Sequence, residues 1–160
     1  MTTVYLVRHA KALNRYTWEE PDHLRPLSKA GFRQADALPE HLGDVSFARL
    51  LTSPYVRCVQ TFEPLADTGR SALEHVDWLG EGAPARRALE LLARLGDGGV
   101  VAACTHGDVI LDSLTLLTTA RVPLDGPLEC KKGSTWILEA QDGVVVRGQY
   151  LGPPVQRKDS

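Results

Sequence analysis

Val4-Tyr5-Leu6-Val7-Arg8-His9-Ala10 decides how this chain is read. Four β-prone apolar residues run straight into an Arg-His pair and then a small residue. The run is short enough for a strand and apolar enough to be buried on both faces. A buried strand that ends on polar residues delivers them to one edge of its sheet. Three later segments have the same form. Ala48 to Thr52 leads into Ser53-Pro54 and then Arg57. Leu73 to Asp77 is a weaker strand followed by Glu81. Val100 to Cys104 leads into Thr105-His106-Gly107. Two histidines, two arginines and an acid are therefore expected at one sheet edge, a set suited to covalent attack on a phosphoryl group.

The stretches between these strands carry helical spacing. Ser28 is placed to cap a helix whose apolar face is Gly31, Ala35, Leu38 and Leu42. Ser53 as N-cap and Pro54 as first helical residue predict a second helix, with Arg57 in its first turns. Pro84 opens a third, with Ala85, Ala88, Leu92 and Leu95 on one face, closed by Gly96 to Gly99. A fourth spans about 107–118, with Ile110, Leu114 and Leu117 inward. Thr135 to Glu139 and Val144 to Leu151 pair around Gln141-Asp142-Gly143, where Asp-Gly signals a hairpin. Strands alternating with helices imply βαβ units and a mainly parallel sheet with helices on both faces. The terminal hairpin makes that sheet mixed. In such sheets ligands bind beyond the carboxyl ends of the strands, where Arg8-His9, Ser53 to Arg57 and Thr105-His106 all fall.

Composition sets the outer limits. The 160 residues suit one domain, and 43% hydrophobic with 24% charged residues is ordinary for a globular core. A formal net charge of −2 gives no sign of whole-surface binding to nucleic acid or membrane. No apolar run approaches the ~20 residues of a membrane span, and Met1-Thr2-Thr3 leaves no room for a signal peptide before the first strand. Cys58, Cys104 and Cys130 are an odd number without metal spacing, read as reduced thiols of a cytoplasmic protein. Cys58 beside Arg57 is read as a small buried residue rather than a reactive thiolate. The domain is expected over 1–151, with 152–160 a frayed tail.

The site residues have a chemical logic. A neutral imidazole is both a good nucleophile toward phosphorus and a good leaving group from it. The transferred group spreads negative charge over its oxygens, so catalysis is mostly positioning and electrostatic stabilisation. Arginine's planar fork grips phosphate oxygens in pairs and stays protonated, which suits Arg8 and Arg57. His106 can donate to the same oxygens. A leaving oxygen needs a proton from a nearby carboxylic acid. Glu81 is the first choice, with Asp77 and Glu74 behind it. The segment 11–27 is longer than an ordinary βα connection. Its Lys11, Trp18 and Arg25 suggest a cover that reads the leaving group. The plainer reading of this segment, with Arg15 and His23, is a solvated loop with one anchoring tryptophan. His41 and His75 are expected on the surface.

These blocks resemble a known family. Leu6-Val7-Arg8-His9-Ala10 resembles the Arg-His-Gly signature of the histidine phosphatase (phosphoglycerate mutase-like) superfamily. Thr52-Ser53-Pro54 through Arg57 to Thr61 is similar to its second block, and Cys104-Thr105-His106-Gly107-Asp108 to its Ser/Thr-His-Gly block. Leu24-Arg25-Pro26-Leu27 and Gly31 to Ala35 resemble the short phosphohistidine phosphatase branch, and the actinobacterial Nudix-linked phosphatase domains more closely still. The resemblance covers about Val4 to Asp108. It implies a three-layer α/β/α sandwich with no metal or other cofactor, His9 as nucleophile, and Arg8, Arg57 and His106 around the phosphate. Ala10 departs from the superfamily's glycine, and Asn14 falls one residue short of the mutases' asparagine. The implied substrate is a phosphoester or phosphoramidate on a small molecule, a nucleotide or a phosphohistidine protein. A phosphomutase and a non-catalytic phospho-ligand binding module are the rival readings. The chain is short for the segments mutases use to retain a phosphoglycerate.

Overall fold

The computed structural model describes residues 1–95 and 98–155. Within them the chain forms β1 (Thr2–Arg8), α1 (Lys29–Leu42), β2 (Arg49–Thr52), α2 (Val56–Gly69), β3 (Leu73–His75), α3 (Ala85–Leu95), β4 (Val100–Thr105), α4 (Gly107–Thr119), β5 (Leu124–Asp125), β6 (Thr135–Gln141) and β7 (Val144–Leu151). Short 3-10 turns stand at Asp22–Leu24 and Asp77–Leu79. One seven-stranded sheet has the order β3-β2-β4-β1-β6-β7-β5. β1, β4, β2 and β3 run parallel, and β6 and β7 add an antiparallel meander beside β1. This is the expected mixed α/β sheet.

The central strands are buried on both faces, and their side chains alternate between two cores. Val4 and Leu6 of β1, Val101 and Ala103 of β4, and Leu51 of β2 face α3 and α4, where Leu92, Ile110, Leu114 and Trp136 pack. Val7, Ala102, Cys104 and Leu50 face α1 and α2, where Leu38 and Phe62 pack. The result is three layers, helix pair, sheet, helix pair. The buried residues of α1 are Gly31, Ala35, Leu38 and Leu42, and Ser28 accepts a bond from the Gly31 N–H. Gly31 has a specific need: a Cβ there would collide with the Lys11 carbonyl oxygen. That close approach seats the start of α1 on the segment just after His9. The β6–β7 turn has Asp142 and Gly143 both at positive φ (53° and 78°), the geometry of a type I′ hairpin.

Four expectations shift. α2 begins at Val56 with Tyr55 as its N-cap, not at Pro54. The Ser53 hydroxyl accepts from the Tyr55 N–H but is drawn to a histidine, so it serves the site more than the helix. The third strand ends at His75, because residues 77–79 turn into a 3-10 helix. His41 is half-buried, in contact with the Gly152 carbonyl, rather than loose on the surface. Pro154 is buried, so ordered chain continues past Gly152. The expected turn residues 96 and 97, and the tail from 156, lie outside the described residues.

Candidate active site

The register of three neighbouring parallel strands builds the site. Arg8 of β1 pairs with Thr105 of β4, and Thr52 of β2 pairs with Cys104. The next residue on each strand is His9, His106 and Ser53. The ladder continues one step past the strands, from the His9 N–H to Thr105 and from the Ser53 N–H to Cys104. The two imidazole centroids lie 5.4 Å apart. Arg57 arrives from the first turn of α2 and stacks over the Tyr55 ring, 4.9 Å from its centroid. Arg8 lies flat against Gly107, where a Cβ would stand 2.8 Å from its guanidinium carbon. Glycine after His106 leaves room for the Arg8 guanidinium in this position.

Hydrogen bonds fix the tautomers. His9 is 6% exposed, and its Nδ1 lies 2.8 Å from the Ala10 carbonyl oxygen. A carbonyl only accepts, so Nδ1 carries the proton and Nε2 holds the free lone pair. His106 is 1% exposed. Its Nε2 is 2.8 Å from Ser53 Oγ, which already accepts from the Tyr55 N–H. The Ser53 proton is thus best placed on the line to Nε2, leaving the imidazole proton on Nδ1. Burial, then nearby positive charge, pushes His9 down to about 3; the Ala10 bond opposes this only partly. Burial, with His9 and Arg57 next, brings His106 to about 3 as well. Both rings are neutral at pH 7.

These shifts have a stability consequence. Unfolded histidine titrates near 6.5. Between about 3 and 6.5 the unfolded chain binds more protons than the native one, so stability falls as pH falls through that window. Two such groups are together worth on the order of several kcal/mol at the acid end. Melting temperatures are expected to be flat above pH 7 and to drop steadily from pH 6.5 to pH 4, with a shallower slope in His9→Asn. A wild-type protein equally stable at pH 4.5 and pH 8 would refute this.

Among the described residues, three buried side-chain N–H donors have no hydrogen-bond partner: Arg8 Nε, Arg57 Nε and His106 Nδ1. They come from three elements and stand around His9. Orphaned buried donors typically cost about 1–3 kcal/mol each, so their gathering at one spot marks a place built for an acceptor-rich ligand. Arg57, 1% exposed, spends its outer nitrogens on one backbone carbonyl and two carboxylates. It donates to the Asp22 carbonyl (3.0 Å), to Asp22 Oδ2 (3.1 Å) and to Glu81 Oε2 (3.3 Å). Glu81 also receives Arg15 at 3.1 Å. Burial would raise the Asp22 carboxyl, but the Arg25 hydrogen bond and the Arg57 and Arg25 charges hold it below its usual value.

Arg8, His9, Arg57, His106 and Glu81 are thus brought together. Lys11 lies at the rim with an exposed side chain. Trp18 donates its indole N–H to Pro21 within its own loop. Arg25 is buried, bonded to Asp22 Oδ1 and the Leu13 carbonyl, and meets the site only through Asp22. Asn14 accepts from the Tyr16 N–H in a local turn. Glu74 is engaged by Arg49 and Asp77 is exposed, so neither acid joins the group. Cys58 is buried with its thiol toward the Thr105 carbonyl and beside His106. Sequence reasoning missed Asp22 and Ser53 as site residues. Ser53 was legible only as a cap, and Asp22 sits in a polar loop with no periodicity. Among the described residues no group of three or more His, Cys, Asp or Glu side chains is placed to hold a metal ion. A separate cleft of about 960 Å³ between α1 and α2 is lined by Asp36, Glu40 and Asp44 without a single cation, the wrong sign for phosphate.

The chain is similar to known proteins. Residues 4–84 match the family model of the histidine phosphatase superfamily (branch 1). The 8-oxo-(d)GTP phosphatase of Mycolicibacterium smegmatis is 34% identical over 162 residues, covering 97% of this chain and 49% of that protein. The chain thus spans about half the length of that relative. The protein histidine phosphatase SixA, solved with tungstate, superposes with a TM-score of 0.71 at 19% identity, covering 94% of this chain and 95% of that one. Bacillus stearothermophilus YhfR gives 0.73 at 19% identity, covering 91% and 94%. At such identities the structural likeness concerns the fold. No helix among the described residues is long and apolar enough to cross a membrane. Family model, half-length relative and fold agree, and this chain belongs to the histidine phosphatase superfamily.

Proposed function

We propose that the protein hydrolyses a phosphoryl compound through a covalent phosphohistidine on His9, without a metal. The observation that carries this reading is the trio of orphaned buried donors around a neutral imidazole whose Nε2 lone pair is free. Nε2 attacks phosphorus in line as the P–O bond to the leaving group breaks. Arg8 Nε, Arg57 Nε and His106 Nδ1 donate to the three oxygens as charge spreads over them. The arginines supply the positive charge that this step requires. Water then attacks the phosphohistidine, the P–N bond breaks, phosphate leaves and Nε2 regains its lone pair.

Glu81 protonates the leaving oxygen in this scheme. In the free enzyme its carboxylate is held by Arg57 and Arg15. Glu81→Gln is expected to slow hydrolysis of alkyl phosphates, whose leaving groups need a proton, about 10²-fold. p-Nitrophenyl phosphate, with a better leaving group, should slow far less. Equal losses on both would remove Glu81 from the role.

The relative's name directs attention to nucleoside polyphosphates, and the SixA fold to protein phosphohistidine. We place the nucleotide class first because the identity to the named relative extends across nearly the whole chain. Three buried free cysteines fit a reducing, cytoplasmic setting. The test is acid-quench labelling with a ³²P-phosphoryl substrate in the presence of chelator. An acid-labile phosphoenzyme that forms and decays at the turnover rate is the expected result. Phosphate binding with no turnover on any substrate would favour the binding module instead.

A further inference from the structure

Beside the phosphate cradle, outside its trio of donors, two lysines are pinned by one glutamine. The Gln34 carboxamide, on α1, accepts from the Lys11 N–H (3.0 Å) and donates to the Lys132 carbonyl (3.2 Å). Lys11 lies two residues after His9. Lys132 precedes Gly133, whose N–H reaches the Arg8 and His9 carbonyls at 3.1 Å each. Gly133 sits at φ 84°, with Gln34 Nε2 only 3.2 Å from where a Cβ would be. The 131–134 turn is therefore strapped across the end of β1; Lys11 and Lys132 are both exposed residues, and the Lys132 charge acts on His9.

The charge there is one-sided. Burial first, and then Arg8, Arg25, Lys11 and Arg15, push the Lys132 ammonium below its usual value. Arg15 is matched by Glu81 and Arg25 by Asp22. Neither Lys11 nor Lys132 has an ion-pair partner among the described residues. Like charges brought together on a rigid turn are costly unless an anion joins them.

Resting on the phosphatase reading above, we infer that Lys11 and Lys132, positioned by Gln34, form a second anion subsite that grips the phosphate next to the one attacked. The substrate class is then a phosphoanhydride, such as a nucleoside diphosphate or triphosphate. The bond from the terminal phosphorus to the bridging oxygen breaks as His9 Nε2 bonds that phosphorus, and the leaving phosphate stays on the lysines while its oxygen takes a proton from Glu81. A singly phosphorylated protein side chain has no second group for these cations.

The experiment compares kcat/KM for GDP and p-nitrophenyl phosphate in wild type, Lys132→Gln, Lys132→Arg and Gln34→Ala. Lys132→Gln should reduce the GDP value about tenfold or more beyond any loss on p-nitrophenyl phosphate, mainly through KM. Lys132→Arg should restore most of the preference, Gln34→Ala should lose part of it, and 0.5 M salt should shrink it. Parallel losses on both substrates, or an unchanged GDP preference in Lys132→Gln, would overturn the subsite. So would wild type that dephosphorylates a phosphohistidine protein but not GDP. The phosphatase reading survives all three outcomes as long as p-nitrophenyl phosphate still labels His9. It fails separately if wild type forms no phosphoenzyme.

Discussion

His9→Ala is expected to turn over p-nitrophenyl phosphate at least about 10⁴-fold more slowly than wild type and to form no phosphoenzyme. The size follows from what remains. Arg8, Arg57 and His106 would still bind phosphate, but no lone pair would stand in line with phosphorus. Water would need to attack a group whose cradle is shaped for an imidazole nucleophile. The variant should nonetheless fold. His9 makes one side-chain hydrogen bond, to the carbonyl of its own neighbour Ala10. It lies at a strand end, and the β1 ladder to β4 and β6 is carried by backbone groups that alanine keeps. Burying the ring as a neutral group is also a liability in acid, which alanine removes. Inorganic phosphate should therefore still protect the variant against heat denaturation. Near-normal turnover in a folded His9→Ala would sink the covalent mechanism.

Much of this was readable before any coordinates. β1 announces itself because Val4 to Val7 are apolar on both sides of the pleat, which only a central strand needs. α1 does so because Gly31, Ala35, Leu38 and Leu42 fall on one stripe, and all four are buried. Strand ends could then be placed next to one another, and with them His9 and His106. What escaped was whatever depends on a side chain crossing between elements. β5 is two residues long and is held by β7, so nothing local marks it. Asp22 meets Arg57 across thirty-five positions, from a loop with no period to read. Ser53 satisfied a capping rule and so concealed its link to His106. Gln34 looks like an ordinary polar position of α1, and only the folded chain shows both ends of its amide engaged.

Arg57 carries the other large effect. Its guanidinium is almost fully buried, yet the carboxylates facing it are not: Asp22 and Glu81 side chains are 40% and 34% exposed. Asp22 and Glu81 can turn to water when phosphate arrives, whereas Arg57 has no route out. In the free enzyme the two acids neutralise a charge that would otherwise be buried alone. In the proposed scheme phosphate takes their place, and Nε, which has no partner in the free protein, gains one. Arg57→Ala is expected to lower kcat/KM by about 10²–10³-fold, the cost typical of deleting a donor aimed at developing oxyanion charge. It should weaken inhibition by inorganic phosphate or tungstate in parallel. Stability should fall only modestly, since the acids left behind are solvated. Arg57→Lys should recover little: one ammonium cannot serve the Asp22 carbonyl, both carboxylates and a phosphate from a fixed plane. Steady-state kinetics, with melting temperature as the folding control, decides it. If either variant stays within about threefold of wild type, Arg57 is a strut for the 11–27 loop and the phosphate is held by Arg8 and His106 alone.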